Sequence, residues 1–180
     1  MSYITTYTGK HFDPLQPDIE LLDISDIAHA LSLTCRGNGH VKTFFSVAQH
    51  CINCALEAEA RGYSKHVIFG CLLHDASEAY MSDVPRPFKQ SLPEYQQIEE
   101  QLLDIIYEKF LGRALNEEEK KLIKKIDDDL LYYDLKELLN EITEGEAPPI
   151  QILLNYQFIP FGEVENQYLK LYEKWKLGDV

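Results

Sequence analysis

The stretch Leu72-Leu73-His74-Asp75-Ala76-Ser77-Glu78-Ala79-Tyr80 places an imidazole and two carboxylates inside what reads as one apolar helix. Ser64 stands where an N-cap belongs, and Val67, Ile68, Cys71, Leu72 and Ala76 follow at helical spacing. On a continuous helix His74 and Asp75 are neighbours. Glu78 lies four residues after His74 and three after Asp75, on the same face. Burying such groups is costly unless something pairs them, and a divalent metal is the natural partner. A His-Asp pair alone is common on half-exposed helix faces, so this reading requires ligands from other helices.

The helix before it supplies one. Ser46 and Gln49 form a capping box, and Val47, His50, Cys51, Cys54, Ala55 and Ala58 make an apolar stripe behind it. His50 therefore points into the core. Cys51 and Cys54 form a Cys-x-x-Cys, but no second pair exists in the chain and both fall on the apolar stripe, so they read as buried free thiols. Upstream, Asp23 or Ser25 caps a first helix with Ile24, Ile27, Ala28 and Leu31 on one face, and its His29 reads as structural. Between the two helices, Cys35-Arg36-Gly37-Asn38-Gly39-His40 is a loop whose Arg36 sits beside glycine, where an anion can approach closely. Read alone, Arg36 is a surface arginine.

After Tyr80, Met81 to Lys89 is a proline-stiffened loop that must lie beside the site and carries Asp83, Arg86 and Lys89. A fourth helix opens at Ser91 or Pro93 and runs to about Leu111. Asn116 and Glu119 begin a long fifth, with Leu122, Ile123, Ile126, Leu130, Leu131, Leu135 and Leu138 facing inward. Asp127, Asp128 and Asp129 interrupt it. Three acids in mid-helix usually mark a solvated face; Asp127, next to Ile126 and four before Leu131, is best placed to turn inward. Pro148-Pro149 is taken as the end of that helical region, and a last amphipathic helix spans about 163–176. Residues 3–12 read as a short hairpin turning near Gly9.

These elements describe one all-α domain over residues 1–180, a helical bundle with its core at about 20–140 and a short N-terminal β-hairpin. The net charge is −13, with 17 Lys and Arg against 30 Asp and Glu, which argues against a nucleic-acid polymer as partner. A small anionic substrate remains compatible where a metal and a few basic side chains meet. No apolar run approaches the length of a membrane span and the N-terminus has no signal-peptide pattern, so a cytoplasmic protein without membrane association is expected.

The candidates His50, His74-Asp75 and Asp127, drawn from three helices, resemble the H…HD…D pattern of the HD-domain metal-dependent phosphohydrolases. Within that family the chain is most similar to the small nucleotidases: the YfbR-like 5′-deoxynucleotidases and the phage dATP triphosphohydrolases. The likeness extends over about residues 3–140 and includes Asp26 to Ser32, Cys35 to His40, Ser46 to His50, His74 to Tyr80, Asp83 to Lys89 and Ile126-Asp127. It implies one divalent ion held by His50, His74, Asp75 and Asp127, with Glu78 as the catalytic carboxylate and Arg36 as the phosphate contact. Lys89 would be a second anion contact, and Asp83 and His40 would adjoin the substrate. The run of three acids leaves Asp128 as a rival to Asp127. A two-histidine, two-aspartate set suits Mn, Co, Fe, Ni or Zn better than Ca, with Mg also a candidate. The implied activity is hydrolysis of a phosphate ester or anhydride of a (deoxy)nucleotide, and the family pattern implies a homo-oligomer. An HD-type di-iron oxygenase would need further histidines between His74 and Asp127, and there are none. The non-enzymatic alternative is a metal-stabilised helical binding or sensor module.

Overall fold

The computed structural model describes residues 2–142 and 145–176; the remainder of the expected 1–180 unit lies outside the described residues. Among the described residues the chain is all-α apart from one hairpin. Strands β1 (Ile4–Thr5) and β2 (His11–Phe12) pair antiparallel, with Ile4 opposite Phe12 and Gly9 at φ 83° in the turn. Among the described residues eight α-helices follow: α1 (Ile24–Leu33), α2 (Val47–Ala60), α3 (Lys65–Leu73), α4 (Glu78–Met81), α5 (Arg86–Lys89), α6 (Pro93–Leu111), α7 (Glu117–Leu139) and α8 (Phe161–Trp175).

Helix α3 is the axis of the bundle. Its residues from Val67 to Leu73 are all buried, so it is apolar round its whole circumference and must be enclosed on every side. Helices α2, α6, α7 and α8 enclose it. Gly70 lets α7 approach: a Cβ at that position would stand 2.5 Å from Ile123 Cδ1. Tyr168 of α8 is fully buried and donates its hydroxyl proton to the Leu72 carbonyl at 2.7 Å, near the end of α3.

The caps act as the sequence indicates. Ser46 and Gln49 close a reciprocal capping box on α2, Asn116 and Glu119 close another on α7, and the Asp23 carboxylate accepts from Ser25 N–H on α1. Two boundaries differ from the sequence expectation. Helix α7 ends at Leu139, well before Pro148-Pro149, because Asn140 turns left-handed at φ 56° and the Glu141 N–H bonds back to the Leu135 carbonyl. The second difference falls at the site. The helix from Ser64 does not continue through Glu78 but ends at Leu73. His74 Nδ1 donates to the Cys71 carbonyl at 2.8 Å, the acceptor that a continuing helix would offer to the Asp75 N–H. The chain then tightens into i to i−3 bonds, Ala76 N–H to Leu73 and Glu78 N–H to Asp75, before α4 begins.

Candidate metal centre

His50 comes from α2, His74 from the residue capping α3, Asp75 from the turn beyond it, and Asp127 from the middle of α7. The fold brings all of them together. The two imidazole centroids are 5.2 Å apart. Asp127 Oδ1 lies 3.1 Å from His50 Nε2 and 3.9 Å from His74 Nε2, and Asp75 Oδ2 lies 3.3 Å from His74 Nε2.

The tautomers follow from the outer partners. Asp134 Oδ2 stands 2.9 Å from His50 Nδ1; a carboxylate only accepts, so Nδ1 carries a proton, while Nε2 faces Asp127 Oδ1 at 3.1 Å and Cys54 Sγ at 3.4 Å. In His74 the proton sits on Nδ1 against the Cys71 carbonyl, and the buried Nε2 has no hydrogen-bond partner. Two imidazole Nε2 atoms and two carboxylate oxygens thus face one another, an arrangement that protons or a cation must bridge. Burial opposes a charge on His74, yet Asp75 draws its imidazole well above the usual range. Burial likewise raises the Asp127 carboxyl, but contacts with His50 and His74 hold it far below the ordinary value. Imidazoles fixed by a carbonyl and a carboxylate behind them are the usual outer support of a metal ligand. The residues present fit a divalent ion.

Of the three consecutive acids, Asp127 faces the imidazoles. Asp128 points to solvent, paired with Lys124 at 2.7 Å and Arg86 at 3.2 Å. Asp129 is buried on the opposite side, bridged by Arg61 at 2.9 Å and Lys125 at 2.9 Å.

A cavity of about 570 Å³ opens beside the cluster, lined by Arg36, Asp75, Glu78, Asp83, Arg86, Lys89, Asp127 and Asp134 among others. Arg36 is held from both sides: its N–H donates to the Phe45 carbonyl, its Nε stands 3.1 Å from Asp134 Oδ2, and its Nη1 stands 3.5 Å from Asp75 Oδ2. The left-handed Gly37 and Asn38, at φ 59° and 54°, fold the loop under it. Glu78 is buried and its Oε2 has no partner. Burial pushes its carboxyl well above the usual range, reinforced by Asp75 and Asp83 and opposed by Arg36 and Lys89. Burial also raises Asp83, which is half-buried at the rim. Lys89 Nζ is paired with Glu99 at 2.7 Å and lies 4.0 Å from Glu78 Oε1. His40 is the one predicted site residue left outside: it is exposed at the far end of its loop and does not line the cavity. The two consecutive left-handed residues carry the chain away from the cluster between Arg36 and His40.

Two contributors escaped the sequence reading. Asp134 follows Asp127 by seven residues, two turns of the same helix face, a signal that was available. Tyr156, whose hydroxyl donates to Asp134 Oδ1 at 3.0 Å, arrives from the irregular connector between α7 and α8, where periodicity carries no information.

Among the described residues no helix is long and apolar enough to cross a membrane. No known family profile matches the chain. Over 110 residues, 61% of its length, it is 41% identical to the uncharacterized protein YfdR of Escherichia coli K12, covering 59% of that protein. Over 67% of its length it is 31% identical to the uncharacterized protein RCAP_rcc00048 of Rhodobacter capsulatus, covering 64% of that protein. The chain therefore spans about three-fifths of the length of these curated relatives, 59% and 64% respectively.

Proposed function

We propose that the protein is an HD-type, metal-dependent phosphohydrolase that cleaves a phosphate ester or anhydride bond of a (deoxy)nucleotide. The observation that carries this reading is the meeting of four metal-donor side chains with a fixed arginine and a buried glutamic acid at one cavity. His50, His74, Asp75 and Asp127 would hold the ion. When bound, a divalent metal polarises a phosphoryl oxygen and lowers the pKa of its water.

The chain's own residues supply the rest. Arg36, held between Asp75 and Asp134, presents a guanidinium whose direction is set before substrate arrives. Lys89 adds charge at the same wall. Glu78, whose carboxyl burial holds well above its ordinary range, is placed to deliver a proton to the leaving oxygen. Arg36, Arg86 and Lys89 set three cations among the carboxylates of the cavity wall, and a bound metal would add the further positive charge that an anionic substrate requires. The four free cysteines agree with a reducing compartment such as the cytoplasm.

The test is a screen of the full chain, loaded in turn with Mn, Co, Ni, Zn and Mg, against nucleoside mono- and triphosphates. Metal-dependent release of phosphate, pyrophosphate or triphosphate from at least one is expected. Release from none, with metal bound, sinks the enzymatic reading in favour of a metal-stabilised binding module.

A further inference from the structure

We propose that Cys54 is a ligand of this centre, which makes it a mixed nitrogen, oxygen and sulfur site. The inference rests on the metal-dependent reading above and deepens it. Cys54 follows His50 by one turn on the same face of α2 and is fully enclosed. Its Sγ lies 3.4 Å from His50 Nε2, the nitrogen opposite the Nδ1 that bonds Asp134 and the one that also faces Asp127. Donor atoms of His50, Cys54 and His74 all lie within 4.8 Å of one another. The His74 Nε2 is buried and has no hydrogen-bond partner.

Ligands sharing one ion through metal–nitrogen bonds of about 2.0–2.1 Å and metal–sulfur bonds of about 2.3 Å stand about 3–3.7 Å apart. The 3.4 Å from His50 Nε2 to Cys54 Sγ falls in that span, and so does the 3.1 Å from His50 Nε2 to Asp127 Oδ1. Sulfur and oxygen therefore both stand at ligand spacing from the His50 Nε2. Cys51 also lies near His74 and Asp75, but it leaves α2 about 100° round from His50 and does not share the face that His50 and Cys54 share. Coordination breaks the Cys54 S–H bond and forms a sulfur–metal bond; the proton leaves to solvent, and nothing is oxidised or reduced. A thiolate in the set favours zinc and cobalt over magnesium and manganese.

The experiment adds cobalt(II) to the metal-free full chain and records the near-ultraviolet spectrum. An intense sulfur-to-cobalt charge-transfer band is expected in the natural protein and in Cys51→Ser. It should vanish in Cys54→Ser, which still binds cobalt with weak visible bands. Cobalt bound with weak visible bands alone in the natural protein overturns the Cys54 assignment and leaves the metal-dependent reading standing. No cobalt or zinc bound by the natural protein overturns both. A band that survives in Cys54→Ser, or is lost in Cys51→Ser, overturns the assignment to Cys54. Zinc X-ray absorption on the natural protein asks the same question with no substitution: a sulfur shell at about 2.3 Å is expected, and a shell of nitrogen and oxygen alone overturns the proposal.

Discussion

A single carboxylate oxygen, Asp134 Oδ2, accepts from His50 Nδ1 at 2.9 Å and also stands 3.1 Å from Arg36 Nε. It fixes an imidazole of the donor cluster and the guanidinium proposed to meet phosphate. Asp134 is buried, which opposes its charge, yet the His50 hydrogen bond and the Arg36 charge hold its carboxyl below the ordinary range. Asp134→Asn keeps the shape and removes the pure acceptor. The amide can turn its NH₂ toward Nδ1 and so move the imidazole proton to Nε2, where it blocks a metal. Zinc affinity measured by titration calorimetry should fall about 10–100-fold. An unchanged affinity would reduce Asp134 to a packing residue.

Most of the fold was open to reading because its signals are local. The Ser46–Gln49 and Asn116–Glu119 boxes, the apolar stripes and the Gly9 turn each need only a few neighbouring residues, and the hairpin and bundle follow from them. What escaped depends on contacts between distant segments. The break after Leu73 arises where a side chain takes a backbone acceptor, and no periodicity reports that. Asp129 reads as a solvated acid until Arg61, 68 residues away in sequence, is seen beside it. The aspartate assignment was legible to one residue: the wheel favoured Asp127 over Asp128, and the fold turns Asp127 toward His50. Cys54 reads as core from its stripe, and only the Nε2 beside it suggests otherwise.

The facing acceptors predict a metal-linked gain in stability. Without an ion, the imidazoles and the carboxylates of Asp75 and Asp127 have only protons to bridge them. An ion bound only by the folded state at 100 times its Kd adds about 2.7 kcal/mol. For a domain of this size that corresponds to a rise in Tm of about 5–10 °C. Thermal unfolding with zinc, then with excess chelator, should show the rise and its reversal. No shift at saturating metal would mean that the donors are not organised for an ion.

Gly70 links packing to the site. A methyl group there meets Ile123 Cδ1 at 2.5 Å and Leu115 Cδ1 at 3.4 Å, between α3 and α7. Helix α3 carries His74 and α7 carries Asp127. Gly70→Ala gains helix propensity but must push these side chains aside, with a net cost of about 1–3 kcal/mol. Denaturant unfolding should show that loss. Metal affinity should weaken as well, because the two helices that hold the donors are moved apart. A variant as stable as the natural protein would show that Ile123 simply changes rotamer.

Glu78→Gln separates catalysis from folding. It keeps the shape and removes the transferable proton, so hydrolysis should fall about 10²–10⁴-fold while metal content is unchanged. Stability should move the other way, and with pH. The folded-state pKa of Glu78 lies well above the ordinary 4.5, chiefly through burial and then through Asp75 and Asp83. Below 4.5 both folded and unfolded chains carry the proton, and the residue's contribution is intact. Above it the unfolded chain ionises while the folded chain does not, so the contribution declines until the pH reaches the folded value. Glutamine does not titrate. Metal-free Glu78→Gln should therefore match the natural protein in Tm near pH 4 and exceed it increasingly as the pH rises above 4.5, up to the folded value. A Tm difference that stays flat over that range would mean that Glu78 is ionised in the folded protein, and its role as proton donor would have to be given up.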